Sequence, residues 1–190
     1  MARLHMARLQ LLAATLNVWV LVLILAAAFG AQFITGEPPC PLCVLQRIAL
    51  MLCALGPLFI LMRGRVGALT GGDIAVGHGI AIISALVGAA ISVRQILLHI
   101  LPGDPGFGSP VLGLHLYTWC LIAFVCQIAA SALMLLGAAW LEDERVTWRL
   151  APATAAAFFV ILVANILSVI AEAGPNWDLP SDPVGYLLFR

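Results

Sequence analysis

The run LLAATLNVWVLVLILAAAFGAQF, residues 11–33, holds 23 consecutive positions without an acidic or basic side chain. A helix rising ~1.5 Å per residue needs roughly 20 apolar residues to cross a hydrocarbon core of about 30 Å. This run meets that length, and four others do as well, at residues 44–62, 74–98, 114–141 and 150–171. The whole chain agrees: 63% of its 190 residues are hydrophobic, mean hydropathy is +1.10 and lysine is absent. Such a composition lies outside that of soluble globular domains and predicts an all-α integral membrane protein surrounded by lipid. Nine arginines balance nine acids, so net charge offers no argument for a nucleic-acid partner.

The arginines set an orientation. Arg3 and Arg8 precede the first run, Arg63 and Arg65 follow the second, and Arg145 and Arg149 separate the last two, whereas residues 34–43 and 101–113 contain none. The positive-inside rule therefore predicts a cytoplasmic N-terminus, with both arginine-free loops and the tail, residues 172–190, outside. The basic start and small-residue end (AAAFGA) of the first run also fit a cleaved signal peptide, although the run exceeds the usual core of ~7 to 15 residues. Under either reading residues 34–43 face out.

Repeats, heptads and low-complexity linkers are absent and the connections are short, which predicts a single bundle over residues 1–190. The inner connection RGRVGALTGGD, residues 63–73, reads as a turn between antiparallel helices. The outer connection LPGDPGFGSPVLG, residues 101–113, carries three prolines and four glycines and cannot be helical. In the tail, Trp177, Tyr186 and Phe189 are expected in the headgroup layer. Glycine and alanine within the runs permit close helix approach.

Chemistry concentrates in EPPCPLCVLQR, residues 37–47. The prolines end any preceding helix, Pro41 suits the first turn of a new one, and Cys40 is placed to cap it. Cys43 then lies among free backbone N–H groups at the positive end of the helix dipole, which favours its thiolate. Arg47, four residues on, falls on the same face one turn deeper. A thiolate with a fixed cation beside it, where headgroups meet hydrocarbon, suits electron exchange with a lipid-soluble quinone, Arg47 stabilising negative charge that builds on the quinone oxygen. The bland alternative for Arg47 is a snorkelling interface residue. Arg94, near the outer end of the third run, is either a second site charge or an anchor.

Other chemistries compete. A closed soft-metal site wants three or four ligands, and here a second cysteine pair is missing while His99 and His115 only flank the other loop, so no metal is expected. A purely structural disulfide across so short a loop would stabilise little. Cys53 and Cys126 fall deep in their runs and read as packing residues; Cys120, near the outer end of the fourth, is open to a redox role.

At CPLCVLQR, VRQILLHILP and LGLHLYTW the chain resembles the bacterial disulfide-bond-forming protein B family, DsbB, over roughly residues 10–140. The resemblance implies a four-helix transmembrane bundle, here with a fifth helix, acting as an inner-membrane thiol:quinone oxidoreductase that keeps the periplasm oxidising. It implies that Cys40 and Cys43 are the active pair, Cys43 facing the quinone (ubiquinone or menaquinone) and Cys40 exchanging with a periplasmic thioredoxin-like disulfide oxidase. It also places Arg47 and Gln95, beside Arg94, at the quinone. Two departures stand out. Members usually carry a second cysteine pair in the second outer loop, yet residues 101–113 have none; and the fifth helix with its tail exceeds the family core. A thiol or metal-binding module without turnover and a degenerate structural member are the alternatives.

Overall fold

The computed structural model describes every residue except 1, 177, 178, 180–182, 184 and 190; Trp177 thus lies outside the described residues. Five helices are long and apolar enough to cross a membrane. They are α1 (Ala2–Thr35), α2 (Pro41–Val66), α3 (Gly71–Leu98), α4 (Leu116–Leu136) and α5 (Ala151–Ala173). α1 starts at Ala2, well before the charge-free run, because the preceding segment has helix-forming residues and only two arginines to keep wet.

α2 is the centre of the bundle. Of its most apolar window 72% is buried, against 33% or less for the other four helices, so those four present much of their apolar surface to lipid. The core runs through Leu11, Leu25, Leu50, Ile60, Leu61, Ile74, Phe124 and Phe158, drawn from all five helices. α2 and α3 touch backbone to backbone at Gly56, where a Cβ would lie 2.1 Å from the Gly77 carbonyl oxygen. Small residues let these helices approach without side chains between them.

The start of α3 is capped from both directions. Thr70 Oγ1 accepts from the Asp73 backbone N–H (3.1 Å) and the Asp73 carboxylate accepts from the Thr70 N–H (3.0 Å), a capping box. Asp73 also accepts from Arg63 Nε of α2 at 2.8 Å, which closes the turn. This connection is more than a turn: β1 (Ala68–Leu69) pairs antiparallel with β2 (Glu144–Arg145) from the α4–α5 connection. Neither strand is legible in the sequence, since two residues carry no periodicity. α4 also ends earlier than its apolar run, at Leu136, and gives way to a 3-10 turn, Ala138–Trp140.

At the opposite end, residues 101–113 fold back over α1 and α2. Gly103, Gly106, Gly108 and Gly113 take positive φ, as does Leu112 at 52°, which explains why the segment needs its glycines. The loop is pinned by Glu37, whose carboxylate accepts from the Ser109 N–H (3.0 Å) and from Ser109 Oγ (2.8 Å). Asp104 accepts from the Gly106 N–H at 2.8 Å and sits 3.0 Å from His99 Nδ1. The Gly106 bond comes first among the causes that keep this exposed carboxyl below its ordinary ionisation range.

Candidate functional site

Pro41 opens α2 and Cys40 is its N-cap, with extended backbone. The Cys43 N–H donates to Cys40 Sγ at 3.2 Å, so one sulfur satisfies a free donor of the first turn while the two thiols are held side by side. Both cysteines are free thiols in this structure. From α3, Gln95 Nε2 donates to Cys40 Sγ at 3.3 Å and to Cys43 Sγ at 3.5 Å. Gln95 Oε1 accepts from Gln46 Nε2 at 2.9 Å, which fixes the amide so that its N–H groups point at the sulfurs. Gln46 and Gln95 are both buried.

The sulfurs are not equivalent. A hydrogen bond to Cys43, burial and repulsion from the Cys43 sulfur, in that order, push ionisation of the Cys40 thiol far above the ordinary thiol range. Cys40 is 6% exposed and keeps its proton. Cys43 is half-buried and opens onto a cavity of about 540 Å³, which it lines together with Arg47, Gln46, Gln32, Trp119 and Cys120. Much of the remaining wall is apolar, from Ile24, Ala27, Ala28 and Leu50. The roof is Phe107 to Leu112 of the outer loop.

Arg47 is 7% exposed, so it is not a snorkelling residue at a wet surface. Its Nη1 donates to Gln32 Oε1 at 2.7 Å, its Nη2 to the Ala28 carbonyl at 3.3 Å, and its guanidinium carbon lies 4.9 Å from the Phe29 ring centroid. These contacts from α1 aim a cation at the cavity without giving it a salt-bridge partner among the described residues. Gln32 in turn donates from Nε2 to Ser168 Oγ (3.0 Å) on α5 and to the Tyr186 hydroxyl (2.7 Å). Tyr186 is therefore docked into the polar cluster rather than lying free in the headgroup layer, while Phe189 stays exposed.

The sequence that builds this site matches a known protein family: the family model described as Disulfide bond formation protein DsbB covers residues 9–109. The chain belongs to the DsbB family. Three curated DsbB relatives illustrate the similarity. Disulfide bond formation protein B of Chromobacterium violaceum is 43% identical over 81 residues, 40% of this chain and 44% of that protein. Disulfide bond formation protein B 1 of Pseudomonas fluorescens is 34% identical over 130 residues, 55% of this chain and 77% of the relative. The protein of the same name from Pseudomonas putida is 33% identical over 127 residues, 54% and 76% of the two chains. No solved structure matches. Family membership and five apolar helices make this a multi-pass membrane protein of DsbB type.

Of the residues singled out from the sequence of this DsbB-family chain, the structure brings together Cys40, Cys43, Arg47 and Gln95. Gln95 reaches the sulfurs and Gln46 and is not part of the cavity wall. Arg94, one residue earlier, points the other way; it is exposed and does not line the cavity. Cys120 does line it, Cys53 is fully buried in the core, and Cys126 faces outward. Sequence reading passed over Gln32, Gln46 and Glu172. Their signal was present, as polar side chains interrupting apolar runs.

Proposed function

We propose that the chain is an inner-membrane thiol:quinone oxidoreductase that reoxidises a periplasmic thioredoxin-like disulfide oxidase, with its N-terminus cytoplasmic and its C-terminus periplasmic. The observation that carries this reading is one cavity, largely apolar, lined by both Cys43 and Arg47, a cation with no salt-bridge partner among the described residues. The fit to a quinone headgroup rests on that donor set: apolar walls from α1 and α2, and a buried guanidinium. A bound ubiquinone or menaquinone would supply the acceptor for two electrons and two protons. Of the residues singled out from sequence, Cys43 and Arg47 would hold it; Gln95 acts on the sulfurs instead, and Arg94 has no part.

The chain's own groups account for the thiol chemistry. A donor thiolate attacking the oxidised pair at Cys40 expels Cys43, the sulfur at the first turn of α2 that lines the cavity together with the Arg47 cation. A second donor thiol then releases Cys40, which keeps its proton beside Cys43. Gln95 holds both sulfurs within reach of each other for reclosure of the disulfide. Because residues 101–113 carry no cysteine, this reading has the partner engage the Cys40–Cys43 pair directly.

The test is quinone reduction by the purified protein driven by a reduced thioredoxin-like donor. Cys40→Ser and Cys43→Ser should each abolish turnover, and Arg47→Ala should weaken quinone affinity, turnover or both. Rates unchanged in the cysteine variants would overturn the redox reading and favour a thiol-binding or structural role. An unchanged Arg47→Ala would show that the cavity is not the quinone site.

A further inference from the structure

α5 lies beyond the part of the chain that the family model covers, yet it carries a buried acid one turn from a residue of the polar cluster around Arg47. Glu172 sits in the last turn of α5, four residues and one turn after Ser168, which accepts from Gln32, the residue that also binds Arg47. Glu172 is 0% exposed, and neither carboxyl oxygen has a hydrogen-bond partner among the described residues. The charged or ionisable groups within electrostatic reach of it are Arg47 and Cys43, both from α2. Around Arg47, α4 adds Cys120 and the C-terminal segment adds Tyr186. From α1, the described contacts to Arg47 are all neutral: Gln32, the Ala28 carbonyl and the Phe29 ring. Among the described residues, this buried cation thus has four ionisable groups within electrostatic reach, Cys43, Glu172, Cys120 and Tyr186, and Glu172 is the one carboxyl among them.

A buried charge without a counter-charge is costly, and so is a second anion beside a single cation. With both thiols free, Arg47 is turned to Gln32 and the Ala28 carbonyl, and Glu172 has no donor among the described residues, as a neutral acid can be but an ionised carboxylate in an apolar site cannot. We infer that Glu172 is the redox-linked proton carrier of this site: its carboxylate balances Arg47 while Cys40 and Cys43 are a disulfide, and it takes up a proton when reduction makes Cys43 the counter-anion. The half-reaction balances. The disulfide gains two electrons from a dithiol donor and two protons from solvent, one ending on Cys40 and one on Glu172, to give a Cys40 thiol, a Cys43 thiolate and a neutral Glu172. Net charge around Arg47 is zero in both states. Glu172 does not line the cavity and acts through Arg47, so it is a positioning residue in the electrostatic sense.

The inference rests on Cys40–Cys43 being a redox couple, and the experiment separates the two. The midpoint potential of the couple is measured by thiol alkylation in redox buffers across neutral pH, for the wild-type chain and for Glu172→Gln. Two protons per two electrons shift the reduction equilibrium hundredfold per pH unit, and one proton shifts it tenfold, about 60 against about 30 mV per unit. The wild type should show the steeper slope and Glu172→Gln the shallower. As a readout on unaltered protein, the reduced-minus-oxidised infrared difference spectrum should gain a protonated-carboxyl C=O band, absent from Glu172→Gln. Equal slopes with an intact couple, or no such band in the wild type, overturn the inference alone. Cysteines that form no disulfide at any potential overturn the underlying redox reading as well.

Discussion

Replacing Gln95 by leucine isolates what holds the two sulfurs. The substitution removes the N–H bonds to Cys40 Sγ and Cys43 Sγ, 3.3 and 3.5 Å long. A hydrogen bond to a charged group contributes about 1.5 to 3 kcal/mol. These bonds are long, so about 1.5 kcal/mol for the pair is the appropriate scale. A disulfide sulfur is a weaker acceptor than a thiolate, so the loss falls mainly on the reduced state. The couple should therefore become more reducing by about 30 mV, the equivalent of about 1.4 kcal/mol for two electrons. A second effect must be separated from the first, because Gln46 Nε2 loses its buried acceptor, at a cost of about 1 to 3 kcal/mol in stability. The double variant Gln46→Leu/Gln95→Leu removes the orphaned donor. It should recover thermal stability in detergent while keeping the shifted potential. Potentials are read by thiol alkylation in glutathione buffers. A Gln95→Leu protein that stays folded with an unchanged or more oxidising potential would refute the assignment of Gln95 to the sulfurs.

Three further outcomes are expected. Gly56→Ala should lower the melting temperature in detergent, by about 1 to 3 kcal/mol or more of stability, since its Cβ would meet backbone atoms of α3 that cannot yield; Gly79→Ala, with nothing within 4 Å, should be tolerated, and equal losses would contradict the close α2–α3 contact. Alkylation of the reduced chain at neutral pH should modify Cys43 well before Cys40, which keeps its proton; mass spectrometry showing Cys40 modified first would reverse the proposed roles. The Ser109 bonds hold the Glu37 carboxyl below its ordinary 4.5, so its clamp on the outer loop is complete above that value and is lost as pH falls through the lower, folded-state one. Protection of the Ser109 amide from hydrogen exchange, relative to its intrinsic rate at each pH, should accordingly fall on acidification and be low at all pH in Glu37→Gln, and pH-independent protection in the wild type would remove Glu37 from that role.

The helices were legible because their signal is length and apolarity, which lipid imposes on every span independently of tertiary contacts. Pro41 and Cys40 could be placed at a helix start from local chemistry alone, and the structure puts them there. What local pattern does not contain is which polar residues meet across helices. Gln32 of α1, Gln46 of α2, Gln95 of α3 and Ser168 of α5 converge only through packing, so Gln95 was read as a quinone contact when it touches the sulfurs. Arg94 and Gln95 are adjacent, but the roughly 100° step between successive helical positions sends one inward and the other outward. Glu172 stands directly after the fifth apolar run, where an acid between two alanines is a signal. By hydropathy alone the run stops at Ala171, two residues before α5 ends at Ala173, and Glu172 falls at the head of the tail.

The account stands most directly on an anaerobic single-turnover experiment with the fully reduced chain and one equivalent of a soluble quinone. It predicts one quinol formed for each Cys40–Cys43 disulfide gained, with the yield lost in Cys43→Ser and the rate sharply reduced in Arg47→Ala. Quinol formed without loss of those two thiols, or formed equally well by Cys43→Ser, would contradict it.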